Sequence, residues 1–375
     1  MTLRKDPPFR AEHIGSLLRP QALLDQRIKW IKGELPLSEL RKHEDKHIAD
    51  AVKLQEEVGL EAITDGEYRR ESFHYDFISK VEGVEAKWDW EGALKTAENA
   101  KEHTGAAPFI PKVPGKMSLP KGGIEVENFK FVKSLTKRTP KVTIPSPTMM
   151  HFRGGRDAIS KTHYPKMEEF FADLARVYRE ELKLLGEAGC TYVQMDDTNL
   201  AYLCDTNFRQ GAKDRGDDPD ALPRMYAELI NESIKDRPAN MKVGVHLCRG
   251  NARSMFFASG GYEPVAEAML GLTKVDAFFL EYDDARSGDF APLRFTPKGD
   301  MQIVLGLITT KKPQLEKKDD IKRRIDEASK FVRMEQLCLS PQCGFSSNAL
   351  GNLVSVDDEK KKLGLVLETA QDVWG

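Results

Sequence analysis

Short apolar runs, rich in β-branched residues, recur along the chain and end in polar or charged residues. They lack the apolar–polar alternation of a half-exposed strand, which is typical of strands buried on both faces of a parallel sheet. Eight such runs are predicted to be strands. They span residues 11–16, 60–67, 141–147, 190–197, 242–249, 275–282, 301–308 and 336–343.

Segments with apolar residues at helical spacing lie between many of these runs, and several carry the usual start and stop signals of a helix. The predicted helices span residues 37–59, 165–189, 220–234, 319–332 and 357–374. Strands that alternate with helices in this way predict an α/β fold, a single (β/α)8 TIM barrel over residues 1–375. Residues 75–140 are rich in Pro, Gly and Lys and are predicted to form an insertion between strands 2 and 3, over one barrel face.

Composition excludes several classes of function. The 57 Lys and Arg residues nearly balance the 59 Asp and Glu residues, which argues against a nucleic-acid binder. No apolar stretch approaches the ~20 residues of a membrane span, and the polar N-terminus lacks a secretory signal, so we expect a cytoplasmic protein without a membrane partner. The 5 cysteines favour reduced thiols over a disulfide framework. A homo-oligomer is expected from base rates alone.

Polar side chains gather at the carboxyl ends of the predicted strands, where barrel enzymes carry their chemistry. His246 and Cys248 stand two positions apart on one strand, so both side chains point to the same side. Imidazole and thiolate together favour zinc, although a lone cysteine is more often a small core residue. Cys343 and Glu281 end two further strands and would complete a tetrahedral set with a displaceable carboxylate. The other strand ends carry Ser16, Asp65, Glu67, Asp196, Asp197, Asp283 and Asp284.

Six of these strand ends resemble one known family, that of the cobalamin-independent methionine synthase catalytic domain. The segments HLC (246–248), LEYDDARSG (280–288) and SPQCGFSS (340–347) are similar to the family's zinc-binding segments. The resemblance implies that Zn²⁺ is bound by His246, Cys248, Glu281 and Cys343. HIGSLLRP (13–20), TDGEYRR (64–70) and YVQMDD (192–197) are similar to its homocysteine-binding segments. They imply that the substrate is bound by Ile14, Ser16, Glu67 and Asp196.

The resemblance implies a zinc-dependent methyltransferase that activates a small thiol, homocysteine in the first place, and gives methionine. A positive ammonium and a thiol call for acidic side chains and a Lewis acid, which agrees with these residue types. In this interpretation Glu281 is the ligand that the substrate sulfur replaces. For Glu67 and Asp196 the alternative is a strand-end carboxylate that caps the next helix.

The methyl-donor side departs from the family pattern. The family's catalytic histidine is replaced in GLITTKKPQLE (306–316), where Lys311 lies near that place and becomes the candidate proton donor. SPTMMHFRGG (146–155) replaces the Asn-Trp segment that contacts the pterin, and in 375 residues we expect one barrel without the second barrel of the longer synthases. The donor therefore stays open between a methylated folate, a methylcorrinoid protein, a methoxy-aromatic compound and an epoxide.

Other readings of the sequence involve different chemistry. An epoxyalkane–coenzyme M transferase would alkylate another thiol, a decarboxylase of the uroporphyrinogen type would need no metal, and a zinc or redox sensor would need no substrate carboxylates. Candidates for binding a sulfonate or carboxylate are Arg19, Arg69, Arg70 and Arg249. His74, Tyr75 and His151 either line the donor pocket or pack in the core, and Cys190, Cys204 and Cys338 are predicted core residues.

Overall fold

The computed structural model describes residues 4–87, 110–251, 253–349 and 351–375. Its strands are β1 (Ala62–Ile63), β2 (Thr139–Pro140), β3 (Val142–Pro145), β4 (Tyr192–Asp197), β5 (Lys242–Leu247), β6 (Ala277–Glu281), β7 (Gln302–Ile308) and β8 (Leu337–Pro341). Strands β3 to β8 pair in sequential order, and every pairing is parallel. β1 pairs in parallel with β2, which leads directly into β3. The strand order confirms the predicted α/β barrel.

The first predicted strand, residues 11–16, contributes one parallel bridge, between Ala11 and Leu339 of β8, rather than a ladder. A hydrogen bond from the Thr64 hydroxyl to the Gly15 carbonyl, 2.6 Å long, joins this segment to the residue that follows β1. Gly15 has a φ of +130°, a conformation outside the extended region, which ends regular pairing at this point. Side-chain hydrogen bonds therefore take the place of a backbone ladder between the first and second barrel segments.

The helices are α1 (Gln21–Ile31), α2 (Leu37–Val58), α3 (Tyr75–Ile78), α4 (Val126–Leu135), α5 (Met167–Glu187), α6 (Asn199–Tyr202), α7 (Thr206–Asp214), α8 (Leu222–Ile234), α9 (Glu263–Leu272), α10 (Lys318–Ser329) and α11 (Val356–Trp374). The five predicted helices correspond to α2, α5, α8, α10 and α11. Leu182 and Leu185 on the hydrophobic face of α5 are fully buried. They lie in the same core cluster as Val193 and Met195 of β4, between the helices and the sheet. Among the described residues, none of the helices is both long and apolar enough to cross a bilayer.

The predicted insertion, residues 75–140, includes elements of the barrel itself. Helix α4 packs against α2 and α5, as a barrel helix does, so the part outside the regular alternation ends before Val126. Antiparallel bridges join Glu82 to Ser118 and Glu85 to Lys112 within this part. Residues 88–109 of the predicted insertion lie outside the described residues.

The barrel interior is filled by side chains and is not a pore. Tyr192, Phe279 and Val304 belong to one apolar cluster and are fully buried. The Lys141 ammonium, also fully buried, lies 3.1 Å from the Glu12 carboxylate, which compensates its charge. The carboxyl ends of the strands lie above this packed interior and form the mouth of the barrel.

Candidate active site

Three potential metal ligands, predicted at two strand ends, meet at the mouth of the barrel. His246 lies near the end of β5, Cys248 follows it, and Cys343 follows β8. Their ligand atoms all lie within 4.8 Å of one another, and the two sulfur atoms are 3.3 Å apart. All three side chains are buried. We call His246, Cys248 and Cys343 the ligand triad.

The triad has the donor set that Zn²⁺ prefers. Neither ring nitrogen of His246 has a hydrogen-bond partner among the described residues, an arrangement that is costly for a buried imidazole unless a ligand binds it. The adjacent Cys248 thiol and the His246 ring hold the pKa of Cys343 well below its ordinary value. The same contact raises the pKa of Cys248. One imidazole with two cysteine sulfurs fits a zinc ion.

Glu281, the predicted fourth ligand, lies beside the triad but is bound to cationic groups. Its Oε1 accepts hydrogen bonds from Lys311 Nζ at 3.2 Å and from Arg286 at 3.4 Å. Its Oε2 accepts one from the backbone N–H of Arg249 at 3.0 Å. Burial raises the pKa of Glu281, Lys311 opposes the rise, and Asp283 and Cys343 add to it. The carboxylate is therefore next to the ligand triad without belonging to the group of atoms within 4.8 Å.

Asp196, a predicted substrate residue, lies one position before the end of β4, beside His246, its register partner in β5. The side-chain amide of Gln194 donates to its Oδ1 at 2.7 Å. Burial raises the pKa of Asp196 to about 7; His246 opposes this rise and Glu67 adds to it. A cation placed between Asp196 and Glu67 would stabilise both in their charged forms.

Glu67 is held by an unusual backbone turn after β1. Its φ is +61°, and its N–H donates to the Asp65 carboxylate at 2.8 Å. Thr143 donates to its Oε1 at 2.9 Å, whereas its buried Oε2 has no hydrogen-bond partner among the described residues. Left-handed backbone at a non-glycine residue is strained and concentrates at functional sites. The free carboxylate oxygen is available to a ligand with a donor group.

The segment with Ile14 and Ser16 lies against the loop that carries Cys343. The Ile14 carbonyl accepts from Gln194 at 2.6 Å, and the Ser16 carbonyl accepts from the Phe345 N–H at 2.9 Å. A Cβ atom on Gly344 would lie 1.9 Å from the Ser16 hydroxyl oxygen. Glycine after the cysteine therefore allows the predicted substrate segment and the metal-ligand loop to approach each other.

Three of the four arginines considered for a sulfonate or carboxylate donate to groups of the protein itself. Arg19 donates to the Glu67 carbonyl, Arg69 to Asp45 and Arg70 to Thr143. The Arg249 guanidinium lies 4.3 Å from the centre of the Tyr262 ring, and none of its three nitrogens has a hydrogen-bond partner among the described residues.

The remaining candidates divide between the mouth and the core. The His74 and Tyr75 rings are 4.1 Å apart, and the buried Nε2 of His74 has no hydrogen-bond partner among the described residues. His151 is a packing residue whose Nδ1 lies 2.9 Å from the Tyr226 hydroxyl. As predicted, Cys190, Cys204 and Cys338 are buried and free.

Sequence reasoning missed three residues that contact the predicted ones: Thr143, Gln194 and Arg286. Thr143 and Gln194 are polar residues inside apolar strands, and Gln194 stands two positions before Asp196, so period-two reasoning could have placed it beside that carboxylate. Arg286 lies in a 3-10 helix of three residues, Ala285–Ser287, which is too short for periodicity to indicate a direction.

Comparison with known proteins extends these observations. Residues 9–355 match the family model of the cobalamin-independent synthase catalytic domain. The chain is 43% identical to the uncharacterized protein YxjH of Bacillus subtilis, over 99% of this chain and 96% of that protein. It is 25% identical to the methionine synthase of Pyrococcus abyssi, over 88% of this chain and 84% of that one. A solved Listeria monocytogenes protein, assigned as a vitamin-B12 independent methionine synthase, is 38% identical with a TM-score of 0.79, covering 99% of this chain and 100% of that chain.

Proposed function

Since the chain belongs to the family of cobalamin-independent synthase catalytic domains, we propose that it is a zinc-dependent methyltransferase that converts homocysteine to methionine. The observation that carries this proposal is the ligand triad beside the two buried carboxylates Glu67 and Asp196. In the part of the chain that the structure describes, the His246 ring of the triad has no hydrogen-bond partner. A metal ion at the ligand triad would bind the thiol of an amino-acid substrate, and the two carboxylates would bind its ammonium.

The ligand triad would hold the zinc ion, with Glu281 as the fourth ligand that the substrate sulfur replaces. Zinc bound there supplies Lewis acidity, which lowers the pKa of a coordinated thiol so that it is deprotonated at neutral pH. Asp196 and Glu67 would bind the substrate ammonium, and Ile14 and Ser16 would position its chain. Because these groups are fixed in the packed mouth of the barrel, the sulfur is held in one place for attack.

Methyl transfer is one displacement. The substrate sulfur forms a bond to the methyl carbon while the bond from that carbon to the donor breaks, and the electron pair of the broken bond goes to the leaving atom. Lys311 is the candidate proton donor to that atom, since its ammonium is buried at the mouth. Burial opposes its charge, but Glu281 and Asp283 raise the pKa of Lys311 and keep it protonated.

The acidic end of the site favours homocysteine over a thiol with a sulfonate group. A sulfonate needs cationic partners, and three of the candidate arginines, Arg19, Arg69 and Arg70, already donate to protein groups. The fourth, Arg249, is buried with its guanidinium against the Tyr262 ring. An ammonium needs carboxylates, which Glu67 and Asp196 provide. A decarboxylase without a metal would have no use for the ligand triad.

Metal analysis of the purified protein tests the zinc site. We expect about one equivalent of zinc in the unmodified protein and a strong loss in Cys248→Ser and Cys343→Ser, because each removes one of the protein ligands. Cys190→Ser is the matched control, since its hydroxyl can keep the contact of Cys190 with the Tyr192 carbonyl. Less than about half an equivalent in the unmodified protein would contradict the proposal.

The reaction is tested by supplying the zinc-loaded enzyme with homocysteine and one donor at a time. A methylated folate, a methylcorrinoid protein, a methoxy-aromatic compound and an epoxide are the donors, and the thioether is followed by mass spectrometry. Methionine from at least one methyl donor is the expected result. A thioether formed only from an epoxide, and only with a sulfonate thiol, would establish the alternative alkyl transferase instead.

A further inference from the structure

Lys311 and Glu281 form a buried charge pair at the edge of the ligand triad. Their side chains are 7% and 0% exposed, and Lys311 Nζ lies 3.2 Å from Glu281 Oε1. Asp283 is a second partner of the ammonium, at 3.7 Å. Arg286 lies 3.4 Å from the same Glu281 oxygen and 3.4 Å from Asp283. We call Lys311, Arg286 and the backbone N–H of Arg249 the Glu281 cradle.

The cradle satisfies both oxygens of the carboxylate. Lys311 and Arg286 donate to Oε1, and the Arg249 N–H donates to Oε2 at 3.0 Å. A buried carboxylate without partners is very costly, so Glu281 can leave a metal ion only if other donors receive it. The cradle supplies these donors immediately beside the triad.

We propose that Lys311 is a positioning residue that receives the Glu281 carboxylate when the substrate sulfur takes its place as the fourth ligand. This inference rests on the proposed function. It assigns Glu281 two positions, one at the metal and one held by the hydrogen bonds of the cradle. A lysine suits this role because its ammonium is a compact charge on a flexible stem.

The role differs in its consequences from proton donation to the leaving group. A residue that receives Glu281 affects how tightly the thiol binds, before any donor is present. A proton donor affects the rate of methyl transfer and leaves thiol binding unchanged. Thiol affinity measured without a methyl donor therefore separates the two roles.

The test uses the Co²⁺-substituted protein, in which the sulfur-to-cobalt charge-transfer band reports binding of the substrate sulfur. Homocysteine is titrated into the unmodified protein and into Lys311→Gln, Lys311→Arg and Lys312→Gln. Lys312 is the matched control, an exposed lysine next in sequence. We expect Lys311→Gln to weaken homocysteine binding about tenfold, the size of one charge-assisted hydrogen bond. Lys311→Arg is expected to restore most of the affinity, and Lys312→Gln to keep it.

Glu281→Gln provides the second half of a double-mutant cycle. Without the carboxylate there is nothing for Lys311 to receive, so Lys311→Gln is expected to have no further effect on thiol affinity in the Glu281→Gln background. The double variant also removes the two charges together, which keeps the test available if Lys311→Gln alone does not fold.

The outcomes separate this inference from the proposed function. Equal thiol affinity in Lys311→Gln and the unmodified protein, or an equal loss in the Glu281→Gln background, would overturn the cradle role alone. An unmodified protein that binds no Co²⁺, or gives no charge-transfer band with homocysteine, would overturn the proposed function and the cradle role with it. Chelator competition for Zn²⁺ confirms that the variants keep the metal.

Discussion

Two carboxylates at the barrel mouth are buried at a cost to the folded protein. Asp196 is 5% exposed and Glu67 is 2% exposed, and burial raises the pKa of each. The Glu67 charge adds to the rise in the pKa of Asp196, since like charges at close range oppose ionisation, whereas Arg70 and Arg19 oppose the rise in the pKa of Glu67. Such an arrangement is expected where a cationic ligand completes the charge balance, and an amino-acid ammonium would do so.

Asp196→Asn tests the ammonium contact directly. The substitution keeps the shape of the side chain and removes its charge, so we expect homocysteine binding to weaken about tenfold or more, as the loss of a charged hydrogen bond predicts. 4-Mercaptobutyrate, which lacks the amino group, is the control ligand, and its affinity is expected to be the same in both proteins. An equal loss for both ligands would assign Asp196 to the structure of the site rather than to the ammonium.

The ligand triad could be predicted from sequence because strand geometry determines where its members point. His246 and Cys248 share one side of a strand at period two, and Cys343 follows another strand of the same barrel. The environment of Glu281 could not be predicted. Its partner Lys311 lies in a loop and Arg286 in a short 3-10 helix, and no repeating pattern shows that their side chains turn toward β6.

At the scale of elements, the predicted strands are present but shorter where the site interrupts them. Residues 60–67 were predicted as a strand, and only Ala62–Ile63 pairs, because positive φ angles at Gly66 and Glu67 turn the chain into the site. The short helix α4 could not be predicted because the sequence around it is rich in Pro and Gly. Periodicity identifies long amphipathic elements well and leaves short ones to tertiary packing.

Helix α11 contains a glycine that its position does not require. A Cβ atom on Gly364 would meet nothing within 4 Å, so Gly364→Ala is expected to stabilise the protein by ~0.5–1 kcal/mol through the lower entropy of the unfolded chain. Urea unfolding measures the effect. Gly344→Ala is the contrast, since its Cβ would lie 1.9 Å from the Ser16 hydroxyl oxygen and is expected to lower both stability and zinc content. Destabilisation by Gly364→Ala would contradict the open space at that position.

At the scale of the whole molecule, the last helix, α11, is hydrogen-bonded to the chain just after the first barrel segment. The Leu18 N–H donates to the Glu359 carboxyl group at 2.9 Å across 341 residues of sequence. Leu18 stands two positions after Ser16, and α11 packs against β8, which leads to Cys343. The two ends of the chain are therefore joined directly behind the proposed substrate segment, and the site depends on contacts between distant parts of the sequence.

This contact predicts how stability depends on pH. Burial raises the pKa of Glu359 from 4.5 to about 8, against the smaller effects of the Leu18 N–H and Lys360. Between these values the folded protein keeps a proton that the unfolded chain releases, so the stabilisation is complete below about pH 4.5 and is lost as pH rises toward about 8. Glu359→Gln stays neutral and lacks this loss. Its urea midpoint is expected to be close to that of the unmodified protein at about pH 5 and clearly higher at about pH 8.

The matched control for this pH dependence is Glu368→Gln, a change at an exposed glutamate of the same helix that pairs with Lys318 at 3.0 Å. Because a surface ion pair contributes little to stability, its urea midpoint is expected to follow the unmodified protein at both pH values. The decisive quantity is the difference between Glu359→Gln and the unmodified protein at the two pH values. A difference that does not grow with pH would show that Glu359 is ionised in the folded protein, with Leu18 then donating to a buried carboxylate.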